Sequence, residues 1–137
     1  FEIYVKSTVN NLFKIYGVNW DNINYTVDVK NVSLSIEKAI PCGLIINELV
    51  TNSLKYAFDD MKGKKGMIEI LIDKSNAKHI DLIIRDNGKG LPKDINLEKT
   101  DSLGLKLVDI LSKGQLEGDL SINVKNGTEF KISFPIN

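Results

Sequence analysis

Apolar side chains recur at helical spacing through residues 1–16, at Phe1, Val5, Val9, Leu12, Phe13 and Tyr16, and Gly17 closes the run. Residues 22–29 are rich in β-branched and aromatic types and predict a strand. Ser35 is placed to cap one short turn, and Pro41 to open a second helix that reaches about Phe58. Two glycines and several charges make 59–66 a loop. Strands follow at 67–72 and 79–86, joined by a polar turn around Ser75-Asn76. Glycine and proline interrupt 87–102, and 103–113 is helical again, ended by Gly114. A last hairpin pairs 120–124 with 128–134 about Asn126-Gly127. Hairpins outnumber βαβ alternations, so the expected fold class is α/β (α+β), a two-layer sandwich with a mixed sheet and helices on one face. It is not a Rossmann pattern.

Composition narrows the functional classes. The chain has 137 residues, 42% hydrophobic and 26% charged, which suits one globular domain spanning 1–137. Lys plus Arg and Asp plus Glu each number 18, so the zero net charge gives no support for a nucleic-acid partner. The single Cys42 excludes an internal disulfide and a multi-cysteine zinc site, and suits a reducing compartment. No apolar run approaches the roughly 20 residues that cross a bilayer, and no basic-then-apolar leader opens the chain. A cytoplasmic location with no membrane contact by this segment is therefore expected. The sequence starts at Phe1 inside an amphipathic pattern, which reads as a fragment of a longer protein. Its one histidine, His79, opens a core strand and reads as a strand-edge residue.

Four stretches carry candidate chemistry. In the second helix, Ile45, Ile46, Leu49, Val50, Ser53, Leu54 and Ala57 form the inner face, while Glu48, Thr51, Asn52 and Lys55 share a stripe at i, i+3, i+4 and i+7. Carboxylate and amide oxygens suit a hard cation such as Mg²⁺, and a lysine suits phosphate; a solvated helix face gives the same spacing. In Arg85-Asp86-Asn87-Gly88-Lys89-Gly90, strand alternation turns Asp86 inward with Ile80, Leu82 and Ile84. An inward carboxylate needs a donor, and Gly88 and Gly90 allow a planar ring to approach the backbone; a plain turn also fits. Ser102-Leu103-Gly104-Leu105 opens a helix whose free N–H groups suit an anion, or which Asp101 or Ser102 simply caps. Thr128 begins the last strand on the face of Phe130, Ile132 and Phe134, the same interior that Asp86 addresses.

In this order the four stretches resemble the N, G1, G2 and final Gly-Thr boxes of the Bergerat ATP-binding fold, shared by gyrase, the large heat-shock chaperones, mismatch-repair ATPases and sensor histidine kinases. Residues 41–58 resemble the histidine-kinase branch, whose N box reads Asn-Glu-Leu-Val-x-Asn-Ala-x-Lys-His-Ala-Phe. The resemblance implies ATP and Mg²⁺ as ligands, with Asn52 on the metal, Lys55 on phosphate and Glu48 at the acidic position that activates water in hydrolytic relatives. It implies that Asp86 accepts from the adenine amine with Thr128 in support. Gly88 and Gly90 would shape the adenine pocket, Gly104 and Leu105 would meet the phosphates, and 94–102 would form a lid.

Some positions depart from the branch: Tyr56 stands where His is common, and Ser102 where the G2 box often has Gly or Thr. The expected function is the catalytic domain of a two-component sensor histidine kinase, a protein-histidine kinase. It would pass the γ-phosphate to a histidine on a segment not contained in this sequence, of the same or a partner chain, with a response regulator downstream. A hydrolytic ATPase module, or a serine kinase or partner-binding domain resembling the anti-sigma factors, is the alternative.

Overall fold

Alternation with a period of two decides which side chains form the core. Ile68, Ile70 and Ile72 of β2 (Gly66–Lys74), Ile80, Leu82 and Ile84 of β3 (His79–Asp86), and Phe130, Ile132 and Phe134 of β5 (Thr128–Pro135) are all buried. The structure, a computed structural model, describes residues 1–30, 32–59, 63–92 and 95–136. Register stacks the apolar members in rows: Leu82 lies between Ile72 and Ile132, and Ile84 between Ile70 and Phe130. A register slip of one residue would turn every one of them to solvent. The sheet is completed by β1 (Ile23–Val29) and β4 (Asp119–Asn123), in the order β1-β2-β3-β5-β4.

Three helices cover the apolar face. α1 (Glu2–Ile15) buries Val5, Val9, Leu12 and Phe13, α2 (Ile36–Asn52) buries Ile45, Ile46, Leu49 and Val50, and α3 (Leu103–Lys113) buries Leu105, Val108 and Leu111. Burying each such side chain stabilises the fold by about 1.5–3 kcal/mol. The sheet's other face is polar: Arg85 sits between Glu69 and Glu129 in register, with Nη2 3.1 Å from Glu129 Oε1. The expected two-layer sandwich with a mixed sheet is the observed one.

Three local expectations differ from the structure. Residues 36–52 form one helix rather than a turn followed by a helix starting at Pro41. Pro41 is the sixth residue of that helix, so the bond it cannot donate would have gone to the carbonyl of Glu37, an exposed residue of the first turn. Ser35 occupies the N-cap position without a side-chain cap. Beyond Asn52 the α-helix gives way to a π-helical turn, Ser53–Ala57. As the expected mixed sheet requires, β1 and β2 pair in parallel with α2 as the crossover, a single βαβ unit among hairpins. The hairpin turn falls where expected, with positive φ at both Asn126 (55°) and Gly127 (116°).

Two residues are settled by their placement. Cys42 lies fully inside the core on α2, where burial pushes its thiol up to about 12, so it stays neutral and unreactive near neutral pH. His79 begins β3, its backbone N–H donating to Asn76 Oδ1 at 3.0 Å. At about 3.3 Å per residue it stands roughly 23 Å along the strand from Asp86. Among the described residues, no helix is long and apolar enough to cross a membrane.

Candidate functional site

The inward row of β3 ends in a carboxylate, as the alternation requires, and both of its oxygens are held. Asp86 Oδ1 accepts the Gly88 N–H at 3.0 Å, and Oδ2 accepts the Ser53 hydroxyl at 2.8 Å. Ser53 is only 7% exposed, so water cannot easily serve that hydroxyl and the carboxylate is its partner. Across the ladder, Thr128 is directly opposite Asp86 and is also 7% exposed. Its oxygen accepts the Leu91 N–H at 3.1 Å, which leaves its own proton to give.

A cavity of about 340 Å³ opens onto this pair, with Leu49, Ile84, Leu105 and Phe130 among its apolar walls. That volume is typical of a small-molecule site. Each oxygen of Asp86 keeps lone pairs beyond the donors it already has, so the cavity presents acceptors at one end of an apolar slot. A flat ligand carrying an N–H₂ group meets both demands.

Backbone contacts fix the cavity's rim. Lys89 N–H donates to the carbonyl of Ala57 at 2.9 Å, joining the loop after β3 to the π-helical turn. A Cβ on Gly88 would collide with that same Ala57 carbonyl, so only glycine allows the approach. Gly90 has φ +78°, and a Cβ there would lie 2.9 Å from the carbonyl oxygen of Gly127. π-helical turns recur at functional sites. Here the wider turn presents Ser53, Tyr56 and Ala57 to the cavity.

Also on the lining, Ser102 caps α3, its Oγ accepting the Leu105 N–H at 3.2 Å. Gly104 in the first turn faces α2: a Cβ on it would stand 2.5 Å from Glu48 Oε2. Of the residues singled out from sequence, Asn52, Asp86, Gly90, Leu105 and Thr128 line the cavity. Glu48 and Gly104 lie against one another beside it, and Gly88 braces its rim.

Lys55 is exposed and outside the lining, because the π-helical turn breaks the α-periodicity that put it on the stripe of Glu48 and Asn52. Among the described residues, the cation that lines the cavity is Lys89, 3.7 Å from Asp59. Of the expected lid, Asp94 lies outside the described residues. Within the remainder, Leu97 is buried, Glu98 pairs with Lys113 at 3.1 Å, and Ser102 lines the cavity.

Ser53 is the residue that periodicity misassigned: its place on the inner helical face marked it as packing. The signal was present, since the branch pattern has Ala at this position and a buried hydroxyl there needs an acceptor.

The oxygen donors suit a hard cation only in part. Among the described residues, no group of three or more His, Cys, Asp or Glu side chains is placed to hold a metal. Glu48 and Asn52 lie one turn apart on α2, both half-buried, and supply a carboxylate and an amide oxygen. A Mg²⁺ ion there would complete its shell with water and phosphate oxygens, as Mg²⁺ commonly does. The donor set therefore fits the metal when it arrives with a polyphosphate.

An apolar slot ending in a doubly held carboxylate, under a sandwich of this topology, defines a nucleotide-binding α/β domain. Residues 37–137 match the family model described as "Histidine kinase-, DNA gyrase B-, and HSP90-like ATPase", and the chain belongs to that family. It is 35% identical over 105 residues to the sensor histidine kinase PdtaS of Mycolicibacterium smegmatis, covering 75% of this chain and 21% of that protein. It is 27% identical over 115 residues to blue-light-activated histidine kinase 2 of Erythrobacter litoralis, covering 83% of this chain and 32% of the relative. The sequence thus spans a minor part of these relatives' length.

The fold is that of histidine-kinase catalytic domains. The histidine kinase domain of the Erythrobacter litoralis EL346 blue-light-activated kinase superposes with a TM-score of 0.84 at 25% identity, over 98% of this chain and 60% of that one.

Proposed function

We propose that this chain is the ATP-binding catalytic domain of a two-component sensor histidine kinase. It would hold Mg-ATP and present the γ-phosphate to a histidine on another segment, of the same or a partner chain, with a response regulator downstream. The observation that carries this reading is the Asp86 carboxylate, held by Ser53 and Gly88 at the end of an apolar cavity and facing Thr128. An adenine amine donates to Asp86, with Thr128 in support, and the ring lies between the Gly88–Gly90 loop and the apolar walls.

The phosphates lead toward the start of α3, where Gly104 and Leu105 offer close approach, with Lys55 reaching the outer phosphate from solvent. Asn52, with Glu48 one turn away, would hold Mg²⁺, which when bound neutralises phosphate charge. Glu48, next to Gly104, would orient the incoming imidazole or accept its proton. In the transfer, the bond between the γ-phosphorus and the β–γ bridging oxygen breaks as a phosphorus–nitrogen bond forms. ADP leaves with the electron pair, and the ring gives up a proton. The work of the protein is positioning and charge neutralisation. Membership of a cytoplasmic signalling protein belongs to the same proposal.

Incubation of the chain with Mg-ATP labelled at the γ-phosphate tests the reading. The expected result is tight binding with no covalent label on the chain itself, His79 included, and acid-labile label on histidine in the longer protein that contains it. Label on serine or threonine of a partner would point instead to an anti-sigma-like kinase. Steady hydrolysis by the chain alone, abolished by Glu48→Gln, would point to a hydrolytic ATPase.

A further inference from the structure

The Glu48 carboxylate lies beside the phosphate seat, and that position has a cost for a polyanion. The contact with Gly104 brings Glu48 Oε2 against the first turn of α3, the turn that starts at Leu103. In that turn the Leu105 N–H is already taken by Ser102 Oγ and the Lys106 N–H by the Ser102 carbonyl. Among the described residues no acceptor is found for the N–H groups of Leu103 and Gly104, which are the donors left for a phosphate.

A phosphate bound there would stand next to a half-buried carboxylate of the same sign, in a site where water screens poorly. Lys55 is exposed and outside the cavity lining, and Lys89, the cation among the described lining residues, is already 3.7 Å from Asp59. A divalent cation held between Asn52, Glu48 and the phosphate oxygens would turn the repulsion into attraction.

We propose that Glu48 is a charge filter that makes nucleotide phosphates acceptable only with their divalent cation. This rests on the nucleotide-binding reading above and goes beyond it: the acid governs the form in which the nucleotide enters, before any chemistry. Glutamine at position 48 keeps the shape and removes the charge, so it should remove the filter. Aspartate keeps the charge on a shorter stem and should retain much of it.

The test is calorimetry on the whole chain with three titrants: adenosine, ATP with EDTA, and ATP with Mg²⁺. For the native chain, Mg²⁺ should strengthen ATP binding by at least roughly tenfold, the scale of one like-charge contact relieved. In Glu48→Gln, metal-free ATP should bind roughly tenfold tighter than to the native chain, so that most of the Mg²⁺ dependence disappears. Glu48→Asp should stay close to the native ratio. Adenosine, which carries no phosphate, should bind all three alike and reports an intact adenine end.

An unchanged ratio in Glu48→Gln, with adenosine binding preserved, overturns the filter and leaves the nucleotide reading intact. Weaker binding of metal-free ATP in Glu48→Gln also overturns it, since the acid would then be an anchor. Failure of the native chain to bind adenosine and ATP alike overturns both.

Discussion

Asp86→Ala should weaken Mg-ATP binding by roughly 10- to 100-fold, the loss of one hydrogen bond to a charged group at about 1.5–3 kcal/mol. Calorimetry reads the loss directly. The same change removes the acceptor for the buried Ser53 hydroxyl and for the Gly88 N–H, so stability should fall as well. Leaving such donors unsatisfied costs about 1–3 kcal/mol each, less what water entering the vacated space returns. Asp86→Asn separates the two effects. An amide keeps the volume and can still accept one of these donors, so most stability should return while the amine of the ligand meets an –NH₂ group. Native affinity in a folded Asp86→Ala variant would remove the adenine assignment altogether.

The second large effect is at Gly88, and its size comes from what the new methyl would meet. A Cβ there collides with the main-chain carbonyl of Ala57, which cannot rotate aside as a side chain can. The loop after β3 must move, and it carries with it the Lys89 N–H that bonds the same carbonyl and the Gly88 N–H that holds Asp86. Gly88→Ala should therefore lower stability by about 2–4 kcal/mol, combining overpacking with a lost hydrogen bond. Its affinity for Mg-ATP should drop with it. Chemical denaturation measures the first and calorimetry the second; native values in both would show that the loop does not depend on this contact. Gly104→Ala is the useful contrast, because its methyl would meet only the far end of the flexible Glu48 side chain.

Period-two alternation made the sheet legible from sequence. His79–Asp86 and Thr128–Pro135 bury every second residue, and the positions of Asp86 and Thr128 on the inner face followed from counting. α3 was equally legible, because a capping serine and a closing glycine bracket one unbroken amphipathic stripe. What stayed hidden was where regularity fails. Nothing in the pattern of 41–58 distinguishes an α-helix that continues from one that widens at Ser53, because both keep an apolar side. Ser53 keeps the inward position that the α-period gives it and meets Asp86, whereas Lys55, just past the break, is left in solvent. Pro41 misled for a related reason: proline signals a helix start, but it is tolerated further in when the carbonyl it leaves unbonded belongs to an exposed residue.

The cavity's polar end is assembled from strands whose pairing is remote along the chain. Asp86 meets Thr128 only when β5 adds to β3, after the loop, α3 and β4 have intervened, whereas β2–β3 and β4–β5 are hairpins that close locally. Bridging distant segments costs chain entropy before any contact repays it, so such pairings tend to form late in folding. Ligand would then find no binding surface on the unfolded chain or in its early hairpins. Stopped-flow experiments should show refolding rates unchanged by Mg-ATP and unfolding slowed by it; acceleration of refolding would mean that the β3–β5 junction forms early. In such a protein the nucleotide acts as a brake on opening, and occupancy sets how long each molecule persists rather than how fast it is made.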